Sequence, residues 1–96
     1  MKKNPNIVAR KVPPVVFLVD ITKCYNNKTQ SLLEIDDIGF AIWECIESGM
    51  NRADVAERFL NLLTDEKTDD FIAMVKADVN AFLDILIQGG CLEEDL

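Results

Sequence analysis

The hydrophobic pattern of this chain changes period once, near residue 36, and that change restricts its fold more than any other feature. Upstream, Ile7–Val12 and residues 15–19 are rich in β-branched residues and read as strands. Pro13-Pro14 separates them, because proline cannot continue a hydrogen-bonded ladder. A link is expected over residues 20–29, with Asn26-Asn27-Lys28 as its turn, followed by a third strand over 30–35. In that strand Leu33 and Ile35 share one side and Leu32 lies on the other.

Downstream the apolar residues recur at helical spacing. Asp36 is placed to cap a first helix through Ile38, Ala41, Ile42, Trp43 and Ile46 that stops near Gly49. Asn51 is placed to cap a second, in which Val55, Ala56, Phe59, Leu60, Leu62 and Leu63 recur. A polar link over 64–69 leads into the longest helix, from about Asp70 to Gln88, and Gly89-Gly90 ends it. Strands first and helices after give an α+β fold: three N-terminal β-strands followed by three α-helices, a winged-helix-like arrangement. Ninety-six residues supply one core, so a single domain over 1–96 is expected. A sheet of three strands leaves at least one edge open.

Charge and residue types narrow the function. Residues 1–28 carry six basic groups against Asp20, a net of +5, and residues 29–96 carry four against sixteen acidic ones, a net of −12. An acidic body repels phosphate backbones and attracts basic peptides or basic protein surfaces. No nucleic-acid partner is therefore expected. No run of apolar residues is long enough to span a membrane, and the N-terminal lysines have no apolar run behind them, so neither a membrane span nor a signal peptide is expected. Cys24, Cys45 and Cys91 form no CxxC pair and read as free thiols, which suits a cytoplasmic protein.

The residues that carry most enzyme chemistry are missing. There is no histidine, and Gly89-Gly90 stands alone without a phosphate-loop pattern. Ser31 and Ser48 have no candidate base beside them. Asp36-Asp37 and Asp69-Asp70 fall where helices begin, where carboxylates meet the positive end of the helix dipole. Glu93-Glu94-Asp95 reads as a solvated tail. The expectation is a protein that is not an enzyme, with no catalytic residues, metal or cofactor.

The longest helix has more apolar surface than one packing face needs. At about 100° per residue, Phe71, Ile72, Val75, Val79, Phe82, Leu83 and Leu86 fall within about 120°. Met74, Ala81 and Ile85 lie just outside one edge of that arc, with Asp78 beside them, and widen it to about 200°. Two uses are open to this second group. It packs under the sheet or another helix, or it lines a groove beside the open sheet edge, where an extended peptide adds a strand.

Three segments carry a family resemblance. IDDIGFAIWECI (35–46) resembles the PqqD-family pattern LNETGAAIWELL, with Gly39, Ala41, Ile42, Trp43 and Glu44 in register. NRADVAERF (51–59) is similar to the family's T-x-E-E-I-V-x-x-F helix. ADVNAFLDILIQGGCLEE (77–94) resembles its D-V-x-x-F-L-x-x-L-x-x-x-G-L-I ending, matching at Asp78, Val79, Phe82, Leu83, Leu86, Gly90 and Leu92. The resemblance implies a RiPP recognition element, which binds the leader of a ribosomally made precursor peptide along its third strand and against its third helix. Such proteins present the peptide to a modifying enzyme, often a radical SAM protein. On this chain the implied peptide-binding residues are Gln30, Ser31, Leu32, Leu33 and Glu34 of the strand and Met74, Asp78, Ala81 and Ile85 of the helix. Two other classes compete. A structural subunit of a larger enzyme would make no peptide contact. A DNA-binding winged helix would have to read DNA with residues 65–88, where Lys67 and Lys76 face six acidic groups.

Overall fold

Pro13-Pro14, joined by a cis peptide bond, turns the chain between its first two long strands. The computed structural model describes residues 1–25 and 28–94, with side chains for all of these outside 23–32. Lys2–Lys3 (β1) precedes the three strands of the main sheet, Ile7–Val12 (β2), Val15–Tyr25 (β3) and Lys28–Ile35 (β4). Three helices follow, Asp37–Cys45 (α1), Arg52–Leu62 (α2) and Asp69–Gln88 (α3), and Leu92–Glu93 (β5) comes last. The α+β order of three N-terminal strands and three helices is as the period change predicts.

The main sheet is antiparallel in the order β2-β3-β4. One face carries Ile7, Ala9, Val16, Leu18, Leu33 and Ile35, and all of them pack into the core. On the other face Phe17 stands between Arg10 and Glu34. The expected link over 20–29 is corrected in part: β3 continues to Tyr25, and its pairing with β4 reaches Tyr25↔Lys28. Asn26 and Asn27, expected as its turn, lie outside the described residues. The ladder shifts register after Val19, beside the buried Asp20. The Asp20 carboxylate accepts from the Thr22 amide at 2.9 Å and its hydroxyl at 2.5 Å, which holds the backbone in a local turn-like bond while the strand goes on. Past β2 the ribbon has only two strands, so no core-facing alternation marks it in the sequence.

Each helix starts at a side-chain cap. Asp36 accepts from the Gly39 amide at 2.8 Å, Asn51 and Asp54 form a reciprocal capping box, and Thr68 caps α3. α1 stops at Cys45, with Ile46 as its C-cap. At the end of α3, Gly90 takes φ +77, and the Cys91 amide bonds back to Leu86 O while the Gly90 amide bonds to Ile87 O. These crossed bonds are those of a Schellman cap. They aim the chain into β5, which pairs with β1 as Lys2↔Glu93 and Lys3↔Leu92.

The core lies between the sheet and the helices. Leu18, Val55, Val79, Leu83, Leu86, Cys91 and Leu92 are fully buried. Trp43 is buried as its helix pattern predicts, with the Lys3 ammonium 4.5 Å above its ring centre. Burial lowers the Lys3 pKa, and Glu44 partly offsets that by raising it. Burial also raises the thiols of Cys45 and Cys91, which are free.

Candidate functional site

The two elements singled out in the sequence both present unpaired surface. Among the described residues β4 has one neighbour, β3, so the outer edge of β4 is open and its outward amides and carbonyls have no strand partner. Gln30, Ser31, Leu32, Leu33 and Glu34 all belong to β4. Glu34 is exposed, and Leu33 is half-buried against the core. The side chains of Gln30, Ser31 and Leu32 lie outside the described set.

On α3 the wide apolar arc splits into two stripes. Val75, Val79, Leu83 and Leu86 are buried. Met74 is 54% exposed and Ile85 48%, and Asp78 and Ala81 are exposed with them. The second group is thus exposed and not packed under the sheet or another helix. Phe71 and Phe82 are half-buried at the border between the stripes.

Gly39 shows how closely the two elements approach. A Cβ there would stand 3.1 Å from the Phe82 ring and 3.2 Å from Ile35 Cβ. The last residue of β4 and a border residue of α3 thus meet across the first turn of α1, and only a residue without a side chain fits between them without displacement.

Beside it lies a hollow that the sequence reading did not identify. Ile38 and Ile42 of α1, Phe59 and Leu63 at the end of α2, and Phe71 and Val75 of α3 enclose about 250 Å³. Asp65 and Asp78 stand at its rim. Ile38, expected among the apolar residues of its helix, is 64% exposed. The spacing of Ile38 and Ile42 was the only sequence signal for this wall. A larger hollow of about 360 Å³ lies between Met1, Met50, Arg52 and Glu94, where none of the expected site residues is found.

The remaining face of α3 is occupied by an ion-pair cluster. Arg52 pairs with Asp84 at 2.6 Å and with Glu94, and also donates to Asn80 O at 3.3 Å. These bonds raise the Arg52 pKa and hold the Glu94 carboxyl below its ordinary value. The reading of 93–95 as a solvated tail is corrected here: Glu93 is in β5 and Glu94 is an ion-pair partner, while Asp95 lies outside the described residues.

Among the described residues no three Cys, Asp or Glu side chains gather as a metal site, and no helix is long and apolar enough to cross a membrane. The site as built offers hydrogen-bonding backbone, apolar side chains and negative charge. It is suited to binding.

The fold defines a class: an antiparallel three-stranded sheet followed by three helices. A solved structure of this class is TbiB1 in complex with the TbiA(beta) leader peptide. This chain is similar to it with a TM-score of 0.65 and 19% sequence identity, over 100% of this chain and 99% of that one. The likeness extends to the whole fold. No protein-family model and no curated protein sequence matches the chain.

Proposed function

We propose that residues 1–96 form one PqqD-like peptide-binding domain that is not an enzyme and acts as a recognition element in the cytoplasm. It holds the leader segment of a ribosomally made precursor peptide by strand addition along β4, with alternate side chains of the peptide against Met74, Ala81 and Ile85. It then presents the peptide to a separate modifying enzyme of the radical SAM type. The observation that carries this reading is the pairing of an open strand edge with an exposed apolar stripe on α3. Main-chain hydrogen bonds on the edge supply affinity, and the stripe supplies side-chain selection. The shared fold with TbiB1, a protein solved with a leader peptide, supports the same reading.

Charge supports it further. The acidic first turn of α3 and the acidic body disfavour phosphate backbones, so neither DNA nor RNA suits this surface.

Amide hydrogen exchange tests the mode of binding. A leader peptide found encoded near this protein's gene should slow exchange in residues 30–34, where outward amides gain a partner, and leave β2 unchanged. Protection confined to β2, or calorimetry that detects no heat of binding for that peptide, would exclude the proposal.

A further inference from the structure

Within the peptide-binding reading, the hollow between the three helices has a more specific use. We infer that it is an anchor pocket that takes one large apolar side chain of the bound peptide, and that Asp78 on its rim selects a lysine or arginine close to that anchor.

Size sets the first half of the inference. Small-molecule sites usually enclose about 300–1,000 Å³, and a dry cavity of about 150 Å³ is enough for a benzene ring. A hollow of about 250 Å³ therefore matches one leucine, methionine or phenylalanine side chain. Its walls are apolar on all three helices, and Ile38, Leu63 and Phe71 are only partly covered in the free protein. An apolar anchor would remove that surface from water, which is favourable.

Position sets the connection to the groove. Ile38 is three residues beyond the end of β4, in the first turn of α1. Asp78 belongs both to the rim of the hollow and to the exposed stripe of Met74, Ala81 and Ile85. A peptide lying across that stripe therefore reaches the hollow at Asp78.

Charge sets the second half. The cations of the helical body are otherwise engaged: Arg52 with Asp84 and Glu94, and Arg58 with Glu47. Lys67 sits at the Asp65 end of the hollow, where its ammonium donates to the backbone oxygens of Leu63 and Asp65. Lys76 lies about 160° around the helix from Asp78. Among the described residues Asp78 has no ion-pair partner, so a cation on the peptide meets an unneutralised carboxylate beside an apolar pocket.

The test is selection from a random-peptide library displayed on phage, using the full chain as wild type, as Asp78→Lys and as Ile38→Asp. Both substitutions are at exposed positions, and circular dichroism checks that each variant is folded. Wild type should enrich sequences with a large apolar residue and a nearby lysine or arginine, and Asp78→Lys should enrich an acidic residue in its place. Changing the basic residue of a selected peptide to glutamate should weaken binding to wild type about fivefold, the scale of a partly exposed ion pair, and should be rescued on Asp78→Lys. Ile38→Asp should weaken every anchor-bearing peptide. If wild type enriches peptides without this pair of residues, or if Asp78→Lys leaves the preference unchanged, the anchor pocket is wrong while peptide binding stands. If wild type enriches nothing, the peptide-binding reading fails and the pocket fails with it.

Discussion

Two stripes on α3 are both largely apolar and have opposite surroundings. Val75, Val79, Leu83 and Leu86 are between 0% and 6% exposed and face the sheet and the other helices. Met74, Ala81 and Ile85, one step around the helix, face outwards with Asp78 among them. The inner stripe is matched by Leu18, Val55 and Leu92, while nothing described covers the outer one. Hydrophobicity alone therefore does not assign a stripe to folding. The width of the apolar arc signals surplus, and only the packing of neighbouring elements shows which part is surplus. On the third face, Arg52 holds Asn80 and Asp84, so two sides of this helix are engaged within the molecule and the third is left exposed.

If that division is right, damage to the core and damage to the outer stripe should be separable. The largest effects belong to the core. Trp43→Ala should destabilise the fold by about 3–5 kcal/mol and Leu83→Ala by about 2–5 kcal/mol, since each leaves a cavity in close-packed surroundings. Chemical denaturation read by circular dichroism measures both. The matching cut in the outer stripe, Ile85→Ala, should cost less than about 1 kcal/mol, because the side chain is half exposed and no cavity forms. Equal losses for Leu83 and Ile85 would show that the two stripes are not distinct.

The next effect reverses the comparison, with binding changed and folding preserved. Ile85→Asp puts a charge on the stripe while leaving the buried residues untouched. It should weaken binding of a leader peptide by about 1–3 kcal/mol, because the carboxylate would be desolvated there without a partner. Calorimetry on folded wild type and mutant gives the difference directly. Undiminished affinity would move the groove away from this stripe.

What could be read in the sequence follows from how local the signals are. The Pro13-Pro14 break, the caps at Asp36 and Asn51 and the glycine stop at Gly90 each depend on a few adjacent residues, and each was visible. The far part of the β3–β4 ribbon looks like a link in the sequence because two strands without a core face need no alternation. The short β1–β5 ribbon was missed because its four residues carry no pattern and form strands only where the Schellman cap redirects the chain. For the same reason Glu94 looks like solvated tail in the sequence, since its partner Arg52 lies 42 positions away in the chain and adjacent only in space. The outer stripe was visible as an excess of apolar arc. The hollow was not, since its walls come from three helices whose packing no local pattern specifies.

The smallest expected effect comes from the polar face of α3, and it tests whether that face is independent of the other two. Hydrogen bonds from Arg52 hold the Glu94 carboxyl below its ordinary pKa of 4.5. A carboxylate with a depressed folded-state pKa adds stability that is complete above the unfolded value and disappears as pH falls through the folded one. The contribution should therefore be present at neutral pH and vanish below 4.5, as Glu94 takes up a proton and releases Arg52. Both side chains are partly exposed, so salt should also weaken it. Glu94→Gln should lower the denaturation midpoint slightly at neutral pH and low salt, and the gap from wild type should close in acid. Peptide binding should be unchanged, because Arg52, Asp84 and Glu94 lie away from the exposed stripe. A gap that persists at low pH would mean that Glu94 stabilises the β1–β5 ribbon by packing. A loss of binding would mean that the polar face and the outer stripe are coupled through α3.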